Sequence, residues 1–230
     1  MRLDDPLVEE FSSYSKWHYD PFQVSDQPEY VRVCRFDADW DKLIEDCKRR
    51  ANPETWDTTA QFWASSKNNI NDSNSSNVRQ AKERLAKVGE DPNRQMFDRA
   101  LVDDVPEFRK LAEFLGFDLD TVAIKFHNQK PGQILHTHVD RFNNPKGHQM
   151  TRFVVMMADY RWGQIFQLGN SFFSQWHAGD CMTWDIPNLP HATGNIGLWD
   201  RPMLQLTGIK TQRTDKIMRL APTTNKIALT

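Results

Sequence analysis

The segment Gly132-Gln133-Ile134-Leu135-His136-Thr137-His138-Val139-Asp140 ends in His-x-Asp, and Pro190-His191 follows about fifty residues later, with Arg201 ten positions beyond. Two imidazoles and one carboxylate make the facial ligand set of non-haem Fe(II), which leaves three positions on the metal open. The pattern points to His138, Asp140 and His191 as the ligands. His136 competes for the first position, because in a strand it shares a face with His138 and could form an HxH pair. Arg201 adds a planar cation suited to a bidentate carboxylate contact, and its charge survives partial burial.

These residues need a scaffold that brings them to one mouth. From Thr121 onward the sequence falls into eight short β-compatible runs separated by turns: Thr121 to Phe126, Ile134 to Val139, Thr151 to Ala158, Gly163 to Leu168, Ser171 to Trp176, Asp180 to Asp185, His191 to Ile196 and Met203 to Ile209. This spacing predicts a mainly β fold, a double-stranded β-helix or cupin-like jelly roll, with helical additions. Strand alternation then puts His138 and Asp140 at the mouth, with His191 reaching it from the opposite sheet and Arg201 entering from the start of the last strand.

The chain before the strands reads as support. Residues 1 to 30 lack sustained periodicity, Val31 to Phe36 suits a short strand, and Trp40, Leu43, Ile44 and Cys47 recur at helical spacing before Pro53. A second helix is traced by Val78, Ala81, Leu85 and Val88. A third has Asp104 as its expected cap, Pro106 early, and Val105, Phe108, Leu111, Ala112 and Leu115 as its buried stripe before Gly116. Residues 65 to 77 are too polar to bury and suit a mobile loop or lid. The expected division is a supporting region 1–118, a catalytic core 119–212 and a tail 213–230, all in one structural domain.

Composition narrows the class of function. The net charge of −2 and the absence of a dense basic cluster interleaved with aromatics argue against nucleic acid as the main partner. No run approaches the ~20 apolar residues of a membrane span, and the N-terminus lacks a signal-peptide stretch, so no membrane is expected and the location is expected to be cytoplasmic. Cys34, Cys47 and Cys181 are odd in number and widely spaced, which suits a reducing compartment.

The stretch from about Thr121 to Thr211, some ninety of 230 residues, resembles the 2-oxoglutarate/Fe(II) oxygenase superfamily, and within it the aspartyl/asparaginyl β-hydroxylase and proline hydroxylase branch. The resemblance is carried by Thr151-Arg152-Phe153-Val154-Val155-Met156, by Trp176-His177-Ala178-Gly179-Asp180, and by the step from His191 to Arg201. It implies Fe(II) on His138, Asp140 and His191, with His138 selected as the His two before the Asp. It also implies 2-oxoglutarate paired to Arg201, O2 as cosubstrate, and hydroxylation with release of succinate and CO2. Many members carry Ser two residues after that Arg. Here Met203 stands there, so a second hydrogen bond to the cosubstrate must come from elsewhere.

Other residues have two readings. Arg152 is a candidate for binding the other end of 2-oxoglutarate or a substrate carboxylate, with a structural salt bridge as the alternative. Asn128 and Gln133 are possible ligand contacts or solvated loop residues. His18, His127, His148 and His177 read as structural, and Trp162 and Trp184 are the aromatics expected near the mouth. The implied substrate is a small amino-acid-like or carboxylated molecule, with a peptide or protein side chain as the alternative. Two rivals are a cupin-like metalloenzyme without 2-oxoglutarate and a metal-free jelly-roll binding protein.

Overall fold

After Gly116 the hydrophobic repeat shortens from that of a helix to that of a strand, and the backbone follows it. The computed structural model describes residues 30–50, 60–65, 86–87, 89, 99–140, 150–186, 188–220 and 226–229. Its first elements are β1 (Tyr30–Asp37), α1 (Trp40–Arg50), β2 (Ala60–Ser65), β3 (Arg99–Leu101) and α2 (Pro106–Leu115). The strands β4 (Ala123–Gln129), β5 (Ile134–His138), β6 (Met150–Met156), β7 (Gln164–Leu168), β8 (Ser171–Phe172), β9 (Asp180–Trp184), β10 (His191–Asn195) and β11 (Arg201–Ile209) come next. The chain closes with α3 (Gln212–Leu220) and β12 (Lys226–Ala228).

All eight runs anticipated after Thr121 contain strands, and they divide four and four between two sheets. The larger sheet has the order β12-β1-β9-β6-β11-β4-β2-β3 and the smaller the order β5-β10-β7-β8. The core is therefore a double-stranded β-helix with added strands and helices. Because successive side chains point to opposite faces, each strand of the large sheet serves two layers. Phe153, Val155, Leu204, Leu206, Ile124 and Phe126 face the helices, packing with Phe108, Leu111 and Leu115 of α2 and with Leu43, Ile44 and Cys47 of α1. Val154, Met156, Met182, Trp184 and Met203 face the small sheet and meet Phe166 and Leu168 there.

Local chemistry sets the helix ends. Asp39 accepts a hydrogen bond from Lys42 N at 3.1 Å and opens α1. At α2 the expectation of Asp104 as cap is incorrect: Asp104 belongs to a 3-10 turn, Val102–Asp104, and Val105 stands at the cap without a side-chain bond. Burial of Val102 draws the chain through that turn, and Pro106 at the first helical position sets the start instead. Gly116 ends α2 at φ 73°, and the Thr211 and Thr214 hydroxyls donate to its carbonyl at 2.6 and 2.7 Å. This contact docks α3, an element absent from the sequence expectations.

Cys34, Cys47 and Cys181 are free and buried, and burial pushes the Cys47 thiol up to about 12, so it packs as a small apolar group. Among the described residues, no helix is long and apolar enough to cross a membrane. The irregular segment 1–30 (apart from Tyr30), the expected lid beyond Ser65, and the second helix apart from Ala86 and Lys87 fall outside the described residues.

One turn fastens the large sheet. Gly179, at φ 88°, donates to Met156 O at 2.7 Å and accepts from Phe36 N at 2.9 Å, so it lies between β6 and β1. A Cβ there would stand 1.9 Å from the Phe36 carbonyl oxygen. Gly179→Ala combines left-handed strain with a backbone collision and is expected to cost about 2–4 kcal/mol, read as a lowered thermal midpoint.

Candidate metal centre

The site grows from the pairing of β5 with β10. Gly132 N donates to Asn195 O at 2.7 Å and Asn195 N to Gln133 O at 2.9 Å, which locks the turn before β5 onto the end of β10. In this register His138 stands directly across from His191, with ring centroids 4.3 Å apart. His191 therefore comes from the neighbouring strand of the same sheet. The opposite-sheet expectation is wrong because β10 returns antiparallel between β5 and β7.

Asp140 lies just past the end of β5 and completes the cluster. His191 Nε2 is 3.3 Å from Asp140 Oδ2, His138 Nε2 is 3.8 Å from Asp140 Oδ1, and the three potential ligand atoms lie within 4.8 Å of one another. Both rings are turned for ligation by their other nitrogens. His138 Nδ1 is 2.6 Å from His136 O and His191 Nδ1 is 3.4 Å from Leu189 O, which leaves each Nε2 toward the carboxylate. His136 is exposed, contributes its backbone carbonyl, and is not in the cluster.

The protonation states suit a cation. Burial, and then the neighbouring His191, holds the His138 imidazole below its ordinary pKa, in the neutral form that binds metals. For Asp140 burial works against the charge, but Arg152 and then His191 outweigh it and keep the carboxyl well below the usual carboxylate range. Two imidazoles and an ionised carboxylate fit Fe(II) by donor type and by spacing.

Arg201 is the second unusual feature. It is only 2% exposed, and among the described residues no carboxylate pairs with it. Nη1 donates weakly to Ile165 O at 3.4 Å, Nε has no partner, and the guanidinium lies 5.5 Å from the Phe166 ring centroid. Burial pulls it down to about 9, so it is still cationic at neutral pH. Phe166 pairs in register with Thr193, two residues along β10 from His191. That step corresponds to ~7 Å along a strand, so Phe166, the ring beside the guanidinium, lies one inward-facing position along from the His191 row.

Beside Arg201, Gln129 Nε2 donates to Thr193 Oγ1 at 3.3 Å while Gln129 Oε1 is left without a partner. Met203, two residues after Arg201, packs in the inter-sheet apolar cluster. Gln129, in register with Arg201, links that end of β11 to the Thr193 hydroxyl.

Arg152 reaches the cluster from β6. Nη1 contacts Asp140, and Nε donates to Thr207 Oγ1 at 2.9 Å. Arg152 is thus in a salt bridge with Asp140. Of the two tryptophans, Trp184 lies 4.9 Å from the His191 ring with its indole N–H unpartnered, whereas Trp162 is 85% exposed and away from the cluster. Asn128 faces the helix side of β4 and donates to Asp200 at 2.7 Å, and Gln133 accepts from Lys130 N at 2.7 Å to close its turn. His177 contacts Asp159 at 3.5 Å, and His18 and His148 lie outside the described residues.

His127, Gln129, Thr193 and Gln205 were not expected at the site. Alternation along β4, β10 and β11 places them inward, but that signal does not separate a ligand contact from a packed polar residue.

No family model matches the chain, and no curated protein matches it. Solved structures do. A Pseudomonas putida prolyl-4-hydroxylase is 17% identical over 80% of this chain and 93% of its own, with a TM-score of 0.43. A viral collagen prolyl hydroxylase from Paramecium bursaria Chlorella virus-1 is 12% identical over 84% of this chain and 100% of its own, at 0.45. A cupin 2 conserved barrel domain protein from Salinispora arenicola is 16% identical over 44% of this chain and 72% of its own, at 0.27. The functional reading rests on the geometry of the site itself.

Proposed function

We propose that this protein is an Fe(II)- and 2-oxoglutarate-dependent dioxygenase that hydroxylates a small amino-acid-like or carboxylated substrate. The observation that carries this reading is the buried Arg201, without a carboxylate partner among the described residues and beside Phe166, one inward-facing position along from the row of a two-histidine, one-carboxylate cluster. A buried charge without a partner costs several kcal/mol, so its retention calls for an anion that arrives with the ligand. A dicarboxylate that chelates at the cluster and extends inward by about 7 Å would meet it.

In this reading His138, Asp140 and His191 hold Fe(II), which when bound supplies oxidation of the cosubstrate and substrate by O2. The chain's own residues do the rest. His138 and His191 present Nε2 because backbone carbonyls hold Nδ1. Arg201 binds and orients the distal carboxylate, and the apolar wall of Phe166, Trp184, Met182 and Met203 excludes water between the two. A cupin-like enzyme without 2-oxoglutarate, or a metal-free binding protein, leaves the buried cation unexplained.

The free cysteines agree with the reducing, cytoplasmic setting that belongs to this proposal. The test is succinate release by the purified chain with Fe(II), 2-oxoglutarate and O2 while free amino acids and short peptides are screened. Stimulation by a small carboxylated molecule is expected. Stimulation by peptides alone would move the substrate to a peptide side chain, and no succinate under any condition would contradict the proposal.

A further inference from the structure

Gln205 joins two groups that have no other reason to be linked. It sits on the inward face of β11, in register with Val154 of β6 and Lys125 of β4. With its amide oriented to satisfy both neighbours, its oxygen lies against the face of the Arg152 guanidinium, 2.9 Å from Nε and Nη2 and 3.2 Å from Nη1, and its nitrogen donates to His127 Nε2 at 3.2 Å. Thr207, two residues on, takes a further bond from Arg152 Nε. The guanidinium is thereby gripped from β11 while its Nη1 contacts Asp140.

We propose that Gln205 and the guanidinium fork of Arg152 form a positioning pair that fixes the Asp140 carboxylate for metal binding, an inference that rests on the metal reading above. Asp140 stands past the last residue of β5, so no strand ladder determines where its carboxylate points. The contact from Arg152 does so instead. That contact is only as well aimed as the guanidinium itself, which Thr207 holds through Nε and the Gln205 oxygen covers on one face. Gln205 can present its oxygen to Arg152 only while its nitrogen has an acceptor on the other side, and a neutral His127 is that acceptor. The surroundings keep His127 neutral, since burial and then Lys125, Arg152 and Arg201 hold its pKa well below the ordinary value.

The residues also allow orientation to be separated from charge. Gln205→Met removes the polar contacts to Arg152 and His127 at nearly constant volume without altering any charge. Arg152→Lys keeps the cation and removes the fork. Outer-sphere partners of metal ligands typically change affinity by about 10- to 100-fold. Anaerobic titration of the full chain with Co(II), followed by visible absorption of the saturated site, is therefore expected to show each variant binding about 10- to 100-fold more weakly. The Co(II) bands at saturation should also shift.

Unaltered affinity and spectrum in both variants would overturn the inference. So would weaker binding with an unchanged spectrum, which marks a structural role only. If Gln205→Met does not fold, Arg152→Lys decides by the same two readouts. His138→Ala, run in parallel, separates the levels: if the unaltered chain binds no Co(II), or His138→Ala binds it equally well, the metal reading fails and this inference with it.

Discussion

Arg201→Leu is expected to raise the 2-oxoglutarate concentration needed for half-saturation by about 10²- to 10³-fold while leaving metal affinity nearly unchanged. Truncating one partner of a buried charge pair costs about 2–5 kcal/mol, and each ~1.4 kcal/mol is tenfold in affinity. The same substitution should act in the opposite direction on the ligand-free protein. Arg201 is 2% exposed with Nε unpartnered, so the free fold carries a buried cation that meets the Phe166 ring and no carboxylate among the described residues. A leucine there removes that cost and should raise the thermal midpoint or leave it unchanged. Calorimetric titration with 2-oxoglutarate and a melting curve of the free protein check the two halves. A lowered midpoint together with unchanged 2-oxoglutarate affinity would make Arg201 a packing residue.

The second large effect belongs to the ligands. His138→Ala, Asp140→Ala or His191→Ala each removes one of three protein donors. The loss of metal affinity should exceed the ~10- to 100-fold typical of outer-sphere changes. His136→Ala should bind metal as the unaltered chain does, because only the backbone carbonyl of His136 touches His138. Equilibrium dialysis against Mn(II) or anaerobic Fe(II) distinguishes the four variants. Loss of binding in His136→Ala with retention in His138→Ala would reverse the assignment of the first ligand.

What the sequence made legible was local. The two-residue alternation marked all eight core strands, and the helical stripe of Phe108, Leu111, Ala112 and Leu115 marked the face of α2 that is buried. Pairing between strands was not legible. His191 belongs to the sheet of His138 because β10 lies between β5 and β7, and nothing in either segment's own pattern encodes that neighbour. The fate of Arg152 was hidden for a similar reason. Its partners Asp140, Thr207 and Gln205 come from two segments, the end of β5 and β11, that meet β6 only in three dimensions. Asp104 shows the limit of capping rules, since a buried Val102 moved the helix start past a suitable side chain.

The central claim is that the His138, Asp140 and His191 cluster and Arg201 hold opposite ends of one molecule. Anaerobic calorimetric titration of 2-oxoglutarate, with and without Mn(II) and in the unaltered chain, His191→Ala and Arg201→Leu, tests it most directly. One molecule should bind per chain in the unaltered protein when metal is present, and binding should weaken by at least about tenfold when either the metal or the Arg201 guanidinium is removed. Binding of 2-oxoglutarate that is indifferent to both metal and Arg201, or no binding in the metal-loaded unaltered chain, would contradict it.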